Sequence, residues 1–371
     1  MRMILLPPED LTQTLGALYT FRHKIRELIL LGGHRGEEKK RIDRYANKLR
    51  RYAKRERLHW QEIKSLPFKE CDPASYVRLR ERYASDDTPV TILAADATAS
   101  TILAASKAFA DIAAILTYDA YDNRLSLFEN DSLRHFEADP MDLNTYCSML
   151  GYTIETSREK ADFSEEEQDA VRYLFSREQE FSRIRMKLMH EKSITEDDSG
   201  IVQALKRLKI IRDGRIVDQY AKNRLAGSLF EEYIFGLCQE MGFDEVRMGC
   251  RIDFSFKEKL RQPVKNEFDI LFIEKNRIGT VECKYTQSSF NARKFLYQYD
   301  TVMDYFGRTA RAILLNLNKE ENPDSRTKEY MHTVLSRSRF GNVRILATSR
   351  FDESRFKNLL RWAGEEGVNL Y

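Results

Sequence analysis

The sequence has no long apolar run. None approaches the ~20 consecutive apolar residues that a membrane-spanning helix needs. The start of the chain, residues 1–8, is too short for a signal peptide and lacks a cleavage pattern. The cysteines, five among 371 residues, are odd in number and scattered, without a C-x-x-C pair, so neither a disulfide framework nor a zinc site is predicted. We therefore expect a cytoplasmic protein that has no membrane partner.

Several common site signatures are also missing. The six histidines form no pair at ligand spacing, and neither a P-loop nor a G-x-G-x-x-G fingerprint is present, so an ATP or NAD site is not predicted. The net charge of +3 says little about partners. Charged residues make up 32% of the chain and hydrophobic ones 42%, which is typical of a globular protein with a strongly charged surface. At this length, two or more domains are expected.

The most informative part of the sequence lies near residue 270. The apolar runs Asn266–Glu274 and Arg277–Lys284 each carry acids in strand-like surroundings. Because side chains alternate between the two faces of a strand, Glu282 and Lys284 are expected on one face. A hairpin of the two runs brings Asp269 beside Glu282. Two neighbouring carboxylates suit Mg²⁺ or Mn²⁺, which prefer oxygen ligands.

This arrangement indicates a phosphodiester hydrolysis site. A divalent ion lowers the pKa of a bound water and takes up charge on the phosphate. The compact ammonium of Lys284 suits the orientation of the attacking water. The alternative is a pair of amphipathic strands with a surface Glu–Lys pair. We favour the site, because Asp269, Glu282 and Lys284 lie in apolar runs, where unpaired charge is costly.

Two flanking helices are predicted to contribute. Leu225–Leu237 has helical apolar spacing, and Glu231 or Glu232 lies near the edge of its apolar stripe. Either acid is a candidate further ligand, with a solvated charge as the alternative. In the helix that opens after the strand pair, Gln298 and Tyr297 are candidates for substrate contact, with ordinary packing as the alternative.

These motifs together resemble a known group of enzymes. The order G-x-x-F-E-E, N-E-F-D, E-C-K and a Tyr-rich helix, over about residues 222–350, resembles the PD-(D/E)XK nuclease superfamily. In particular, it is similar to the CRISPR-associated nucleases that join a CARF sensor domain to such a nuclease domain. The resemblance implies Asp269, Glu282 and the backbone carbonyl of Cys283 as metal ligands. It also implies Lys284 and Glu231 as catalytic residues and Mg²⁺ or Mn²⁺ as the cofactor.

The first 155 residues are predicted to form an α/β unit. Met3–Leu6, Glu27–Leu31 and Val90–Ala95 are apolar runs typical of buried parallel strands. A long helix is expected from Glu37 and an Ala-rich helix to about Ala114, followed by a closing hairpin. Ligands of such sheets bind beyond the carboxyl ends of the strands. The candidate ligand residues in the two loops there are Gly33, His34, Asp96, Thr98, Ser100 and Thr101.

This order of elements resembles a CARF domain, which in that family senses cyclic oligoadenylate across a dimer. The resemblance therefore implies a homodimer and a cyclic oligoadenylate activator. One difference is that residues 96–101 read D-A-T-A-S-T, where those domains usually carry a T-G-G-T-K-like turn. The glycines that let backbone amides approach phosphate are missing. A CARF-like domain that only dimerises is the alternative.

Two further segments, one helical and one basic, each have two interpretations. The charged segment 156–221 has a helix, a D-G turn and a short strand, which is the outline of a winged helix. It is interpreted as a spacer, with DNA binding as the alternative. The basic stretch Lys39–Arg57 is interpreted as a solvated helix face, with a nucleic-acid contact as the alternative.

The sequence thus predicts three α/β or helical parts. They are a Rossmann-like CARF-type domain (1–155), a small winged-helix-like segment (156–221) and a restriction-endonuclease-like α/β domain (222–371). The predicted function is metal-dependent cleavage of DNA or RNA, and the resemblance implies gating by a cyclic oligoadenylate in type III CRISPR antiviral defence. The alternative is a non-catalytic or ligand-independent nucleic-acid-binding protein of a defence or mobile element.

Overall fold

The fold is built from two β-sheets with a small helical segment between them in sequence. The computed structural model describes residues 1–8, 10–33, 36–69, 72–83, 88–95, 97–109, 113–191, 193–194, 199–254, 265–286, 305–307, 309–318, 343–348 and 350–361. None of the helices in these ranges is both long and apolar enough to cross a membrane.

The first sheet has seven described strands in the order β3-β2-β1-β4-β5-β6-β7. The first five in this order run parallel, and β6 and β7 are added antiparallel. The central strands are buried on both faces, which explains their uniformly apolar sequences. The strands are β1 (Arg2–Leu5), β2 (Glu27–Gly32), β3 (Glu62–Pro67), β4 (Val90–Leu93), β5 (Ala113–Asp119), β6 (Arg124–Glu129) and β7 (Ser132–Glu137).

Helices connect these strands, as expected of a doubly wound sheet. They are α1 (Leu15–Thr20), α2 (Gly36–Arg55), α3 (Pro73–Tyr83), α4 (Ala99–Phe109) and α5 (Leu143–Met149). The predicted α/β class, the long helix and the closing hairpin are confirmed. The prediction that the Ala-rich helix continues to Ala114 is wrong. The helix ends at Phe109, and Ala113 already belongs to β5, which pairs with β4.

The middle segment is helical and ends in a small hairpin. It contains α6 (Glu165–Ser176), α7 (Glu178–Glu191), α8 (Gly200–Arg207), β9 (Ile211–Arg212) and β10 (Arg215–Ile216). The D-G turn between the two strands has positive φ at both residues, 49° at Asp213 and 70° at Gly214. This helix–turn–strand outline was predicted from the sequence.

The second sheet has six described strands in the order β15-β14-β13-β12-β11-β8. The strands are β8 (Thr153–Arg158), β11 (Glu245–Asp253), β12 (Lys265–Glu274), β13 (Arg277–Thr286), β14 (Arg311–Asn318) and β15 (Val343–Thr348). Helices α9 (Gln219–Asn223), α10 (Leu229–Glu240) and α11 (Glu353–Leu360) accompany it. The boundary expected after residue 155 falls inside β8, which pairs with β11 of this second sheet. The three-part division of the chain stays a prediction.

The two sheets share one hydrophobic core. Met3, Leu93 and Leu116 of the first sheet belong to the same buried cluster as Phe268 and Ile278 of the second. The halves are therefore packed against each other and are not separated by a free linker.

A polar contact joins the halves at the tip of the β12–β13 hairpin. The tip residues Lys275 and Asn276 have φ of 50° and 61°, as a two-residue type I′ turn requires. The buried Asn276 amide donates to the Asn123 side-chain oxygen (2.8 Å) and to the Asp139 carbonyl (2.9 Å). Its own oxygen accepts the Met141 N–H at 2.8 Å. The first half of the chain thus holds the tip of this hairpin.

Candidate active site

The hairpin brings two of the predicted acids together. In the antiparallel pairing of β12 with β13, Ile270 lies opposite Val281. Asp269 and Glu282 are the next residues along the two strands beyond this pair. The Cys283 N–H donates to the Asp269 carboxylate at 2.7 Å. Val281 and Cys283 are buried in the core beneath, so the alternation predicted from the sequence is confirmed.

Lys284 supplies the positive charge of this cluster. Its ammonium lies 2.5 Å from Glu282 Oε1 and 3.7 Å from Asp269 Oδ2. Its side chain is 35% exposed, whereas those of both acids are 17% exposed. A single cation therefore balances two largely buried carboxylates.

Helix α10 contributes a third carboxyl group, and the structure distinguishes between its two acids. The negative charges of Asp269 and Glu282 and the positive charge of Lys284 all act on Glu231. Glu232 instead forms a buried two-pronged ion pair with Arg224, at 3.0 and 2.7 Å. Of the two candidates, Glu231 joins the cluster and Glu232 stabilises the fold.

Burial and mutual repulsion raise the proton affinity of the cluster. Burial, followed by the Asp269 charge, raises the pKa of Glu231 and of Glu282 to about 7. Burial likewise raises the pKa of Asp269. Burial acts to lower the pKa of Lys284, but the charges of Asp269 and Glu282 outweigh it and raise that pKa. The cluster therefore has more carboxyl groups than one ammonium can neutralise.

Such a set of donors fits a divalent cation by its chemistry. The oxygens are hard ligands, and their excess negative charge is costly in a buried position unless a cation is bound. Among the described residues, however, no three His, Cys, Asp or Glu side chains converge as a ready metal cage. Metal ligation by Asp269, Glu282 and the Cys283 carbonyl stays a prediction.

A sequence comparison identifies the part of the chain that carries this cluster. Residues 218–353 match the family model described as Card1-like, endonuclease domain. This part of the chain therefore resembles a Card1-like endonuclease domain. No curated protein matches the sequence at a significant level.

Solved structures share the fold at low sequence identity. Can2 from Sulfobacillus thermosulfidooxidans, in complex with cyclic tetra-adenylate, aligns over 97% of this chain and 98% of its own, with a TM-score of 0.67 and 14% identity. VC1899 from Vibrio cholerae aligns over 96% and 95%, with the same TM-score and identity. A type III CRISPR defence DNA nuclease activated by cyclic oligoadenylate aligns over 88% of this chain and 47% of its own, with a TM-score of 0.51 and 16% identity. The resemblance to CRISPR-associated sensor nucleases is thus confirmed for the fold and the endonuclease domain.

A buried arginine supports the Card1-like domain beside the cluster, and sequence reasoning missed it. Arg185 of α7 donates to the carbonyls of Leu225 and Ala226, both at 2.7 Å. These two carbonyls belong to a π-helical turn that leads directly into α10. The guanidinium also lies 4.3 Å from the centre of the Tyr285 ring, next to Lys284 in sequence. Arg185 therefore contacts β13, which carries Glu282 and Lys284, and the turn that leads into α10.

The other predicted site residues have different outcomes. Gly33 directly follows β2 and lies so close to Glu38 that an added Cβ would meet the carboxylate. Thr98 Oγ1 accepts the Thr101 N–H at 3.3 Å and lies 2.9 Å from the Ser100 hydroxyl, so it caps α4. His34, Asp96, Tyr297 and Gln298 lie outside the described residues.

The raised carboxyl pKa values predict how stability depends on pH. In metal-free protein, the free energy of unfolding should fall as the pH rises from about 5 to about 8. In this interval the folded state binds more protons than the unfolded state, where the pKa is near 4.5, so stability is lost as the acids ionise. Glu231→Gln should remove roughly 1–3 kcal/mol of this fall.

Thermal unfolding in EDTA at pH 5.5 and pH 8 checks this expectation. The matched control is Glu166→Gln, which removes an exposed acid of α6 and should leave the pH dependence unchanged. An equal pH dependence in wild type and Glu231→Gln would contradict the role given to the carboxyl cluster.

Proposed function

We propose that the chain is a metal-dependent nuclease that cleaves DNA or RNA in the cytoplasm as part of type III CRISPR antiviral defence. In this proposal it acts as a homodimer and is activated by a cyclic oligoadenylate. The observation that carries the proposal is that Lys284 lies within ion-pair distance of both Asp269 and Glu282, and that the charges of all three act on Glu231, in the segment that matches a Card1-like endonuclease domain.

The chain's own residues have distinct roles in this proposal. Asp269 and Glu282, with the Cys283 carbonyl, hold Mg²⁺ or Mn²⁺. The bound ion supplies a water of lowered pKa and neutralises charge on the phosphodiester. Lys284 then directs its ammonium to the attacking water and the phosphate. Glu231, whose pKa lies near 7, accepts or supplies a proton close to neutral pH.

Activation is proposed to begin in the first sheet. Gly33 and Thr98 lie in the loops after β2 and β4, and Ser100 lies in the first turn of α4, all beyond the carboxyl ends of parallel strands. Two solved structures of this fold are described with a cyclic oligoadenylate, one as a bound ligand and one as an activator. The absence of glycines from residues 96–101 leaves a domain that only dimerises as the alternative.

A cleavage assay tests the proposal. Purified protein is incubated with plasmid, single-stranded DNA and single-stranded RNA in Mg²⁺ or Mn²⁺, with and without cyclic tetra- or hexa-adenylate. We expect cleavage that needs the metal ion, increases with one cyclic nucleotide and is lost in Glu282→Ala. Equal background in wild type and variant would reject the nuclease. Cleavage that no cyclic nucleotide changes would retain the nuclease and reject the sensor.

A further inference from the structure

The small hairpin of the middle segment and the two helices beside it carry a cluster of exposed cations. We call the cluster the wing surface. It contains Arg207, Lys209, Arg212, Arg215 and Lys222, all exposed. Within the part of the chain that the structure describes, no carboxylate forms an ion pair with any of these five side chains. Their charge is therefore available for an anionic partner.

A groove with an aromatic side chain lies on the wing surface. Its volume is ≈ 590 Å³, and Lys209, Arg212 and Tyr220 are among its lining residues. Tyr220 is 63% exposed, so most of its ring is accessible to a partner. Exposed aromatic rings among cations are typical of surfaces on which unpaired nucleic-acid bases stack while phosphates are held nearby.

The acids that line the groove are mostly bonded to the backbone. The Asp218 carboxylate accepts the Ala221 N–H at 2.7 Å and caps α9. The Glu167 carboxylate accepts the Ser164 N–H at 3.3 Å in the capping box of α6. Asp213 lies in the exposed turn of the small hairpin. These three acids are outnumbered by the five exposed cations, so the balance of charge among the described residues of the wing surface is positive.

The wing surface is rigidly connected to the carboxyl cluster. Helix α9, the π-helical turn and α10 form one uninterrupted helical run from Gln219 to Glu240. Along this run, Tyr220 precedes Glu231 by 11 positions, which corresponds to about 16 Å at the usual helical rise. Arg224 within the run donates to the Leu208 carbonyl at 3.1 Å and pairs with Glu232. The groove and the acid thus keep a fixed separation.

We propose that the wing surface binds a nucleic-acid strand, with its cations on the phosphates and Tyr220 stacked on an unpaired base. Resting on the proposed nuclease function, this surface holds the strand whose scissile phosphate lies at the carboxyl cluster. The proposal gives the middle segment a binding role, whereas the sequence favoured a spacer.

Binding is measured in EDTA, so that cleavage is not required. A fluorescein-labelled single-stranded 20-mer and the matching duplex are titrated by anisotropy at several salt concentrations. The first variant is Lys209→Gln/Arg212→Gln/Arg215→Gln, and the second is Tyr220→Ala. The matched control, Lys39→Gln/Arg44→Gln/Lys54→Gln, removes the same charge from exposed positions of α2.

The expected pattern separates charge from stacking. The wing triple variant should weaken single-strand binding at least about tenfold and reduce the slope of log K against log salt by about 2, because three phosphate contacts are lost. Tyr220→Ala should weaken single-strand binding by about five- to 100-fold and leave duplex binding nearly unchanged. The α2 control should bind like the wild type.

Three outcomes would overturn the proposal: no binding by the wild type, wild-type binding by the wing variants, or equal weakening by the α2 control. Loss of duplex binding in Tyr220→Ala to the same degree would overturn the stacking role. The nuclease proposal fails separately. If nucleic-acid binding depends on the wing surface but no metal ion supports cleavage, the proposed binding role of the wing surface is retained and the nuclease function is rejected.

Discussion

Replacing Lys284 with methionine should reduce nucleic-acid cleavage by roughly 10³-fold while divalent-ion binding is retained. The side chain is the one cation described beside Asp269 and Glu282, and its loss removes the group that orients water and phosphate. Loss of such a positioned group typically costs about 10²–10⁴ in rate. The ammonium also competes with a metal ion for the same carboxylates, so removing it does not weaken the ion's binding site electrostatically.

Single-turnover cleavage and calorimetric titration with Mn²⁺ at pH 8 measure the two effects separately. Lys275→Met is the matched control, because this exposed lysine lies at the tip of the same hairpin. We expect it to cleave like the wild type. Loss of Mn²⁺ affinity together with activity in Lys284→Met would show that the lysine maintains the site and does not act in the reaction.

Replacing Arg224 with methionine should have the largest effect on stability. The guanidinium pairs with Glu232 through two hydrogen bonds and also donates to the Leu208 carbonyl, all in buried positions. Its removal leaves the buried Glu232 without hydrogen-bonded compensation, with only the half-exposed Arg158 guanidinium 3.8 Å away. Breaking a buried pair in this way costs about 3–5 kcal/mol, which corresponds to a fall in the melting temperature of about 10 °C.

Thermal unfolding monitored by circular dichroism checks this expectation. The double variant Arg224→Met/Glu232→Leu removes both charges, and we expect it to recover most of the lost stability, because no unpaired charge remains. Arg212→Met is the control, since it removes an exposed arginine of the same segment. A double variant as unstable as Arg224→Met alone would show that the contact with Leu208, and not the unpaired acid, dominates.

The candidate site was predictable where a local rule determines side-chain direction. In β12 and β13 the two-residue period places Glu282 and Lys284 on one face and Cys283 on the other, and the short turn sets the register in which Ile270 lies opposite Val281. The choice between Glu231 and Glu232 was not predictable in this way. A π-helical turn precedes them and rotates the helix relative to a regular α-helix, and its presence depends on tertiary contacts.

Elements that depend on distant partners also escaped prediction. The edge strands β3 and β7 went unpredicted because their largely polar, half-exposed faces lack an apolar run. Residues 113 and 114 are alanines, which favour helix, but pairing with β4 makes them part of a strand. Arg185 has no periodic signal, since only the folded chain brings it to the carbonyls before α10.

The hydrogen bonds of Asn276 link any movement of the first half of the chain to the hairpin that carries the acids. The two strands that end at this residue also carry the acids, and the residue is held by Asn123, Asp139 and Met141. A rotation of the first half of the chain must either break these three hydrogen bonds or move the hairpin together with that half. The hairpin therefore couples the two halves of the protein. Its tip is bound by the first half, and its strands carry the carboxylates of the candidate site in the second.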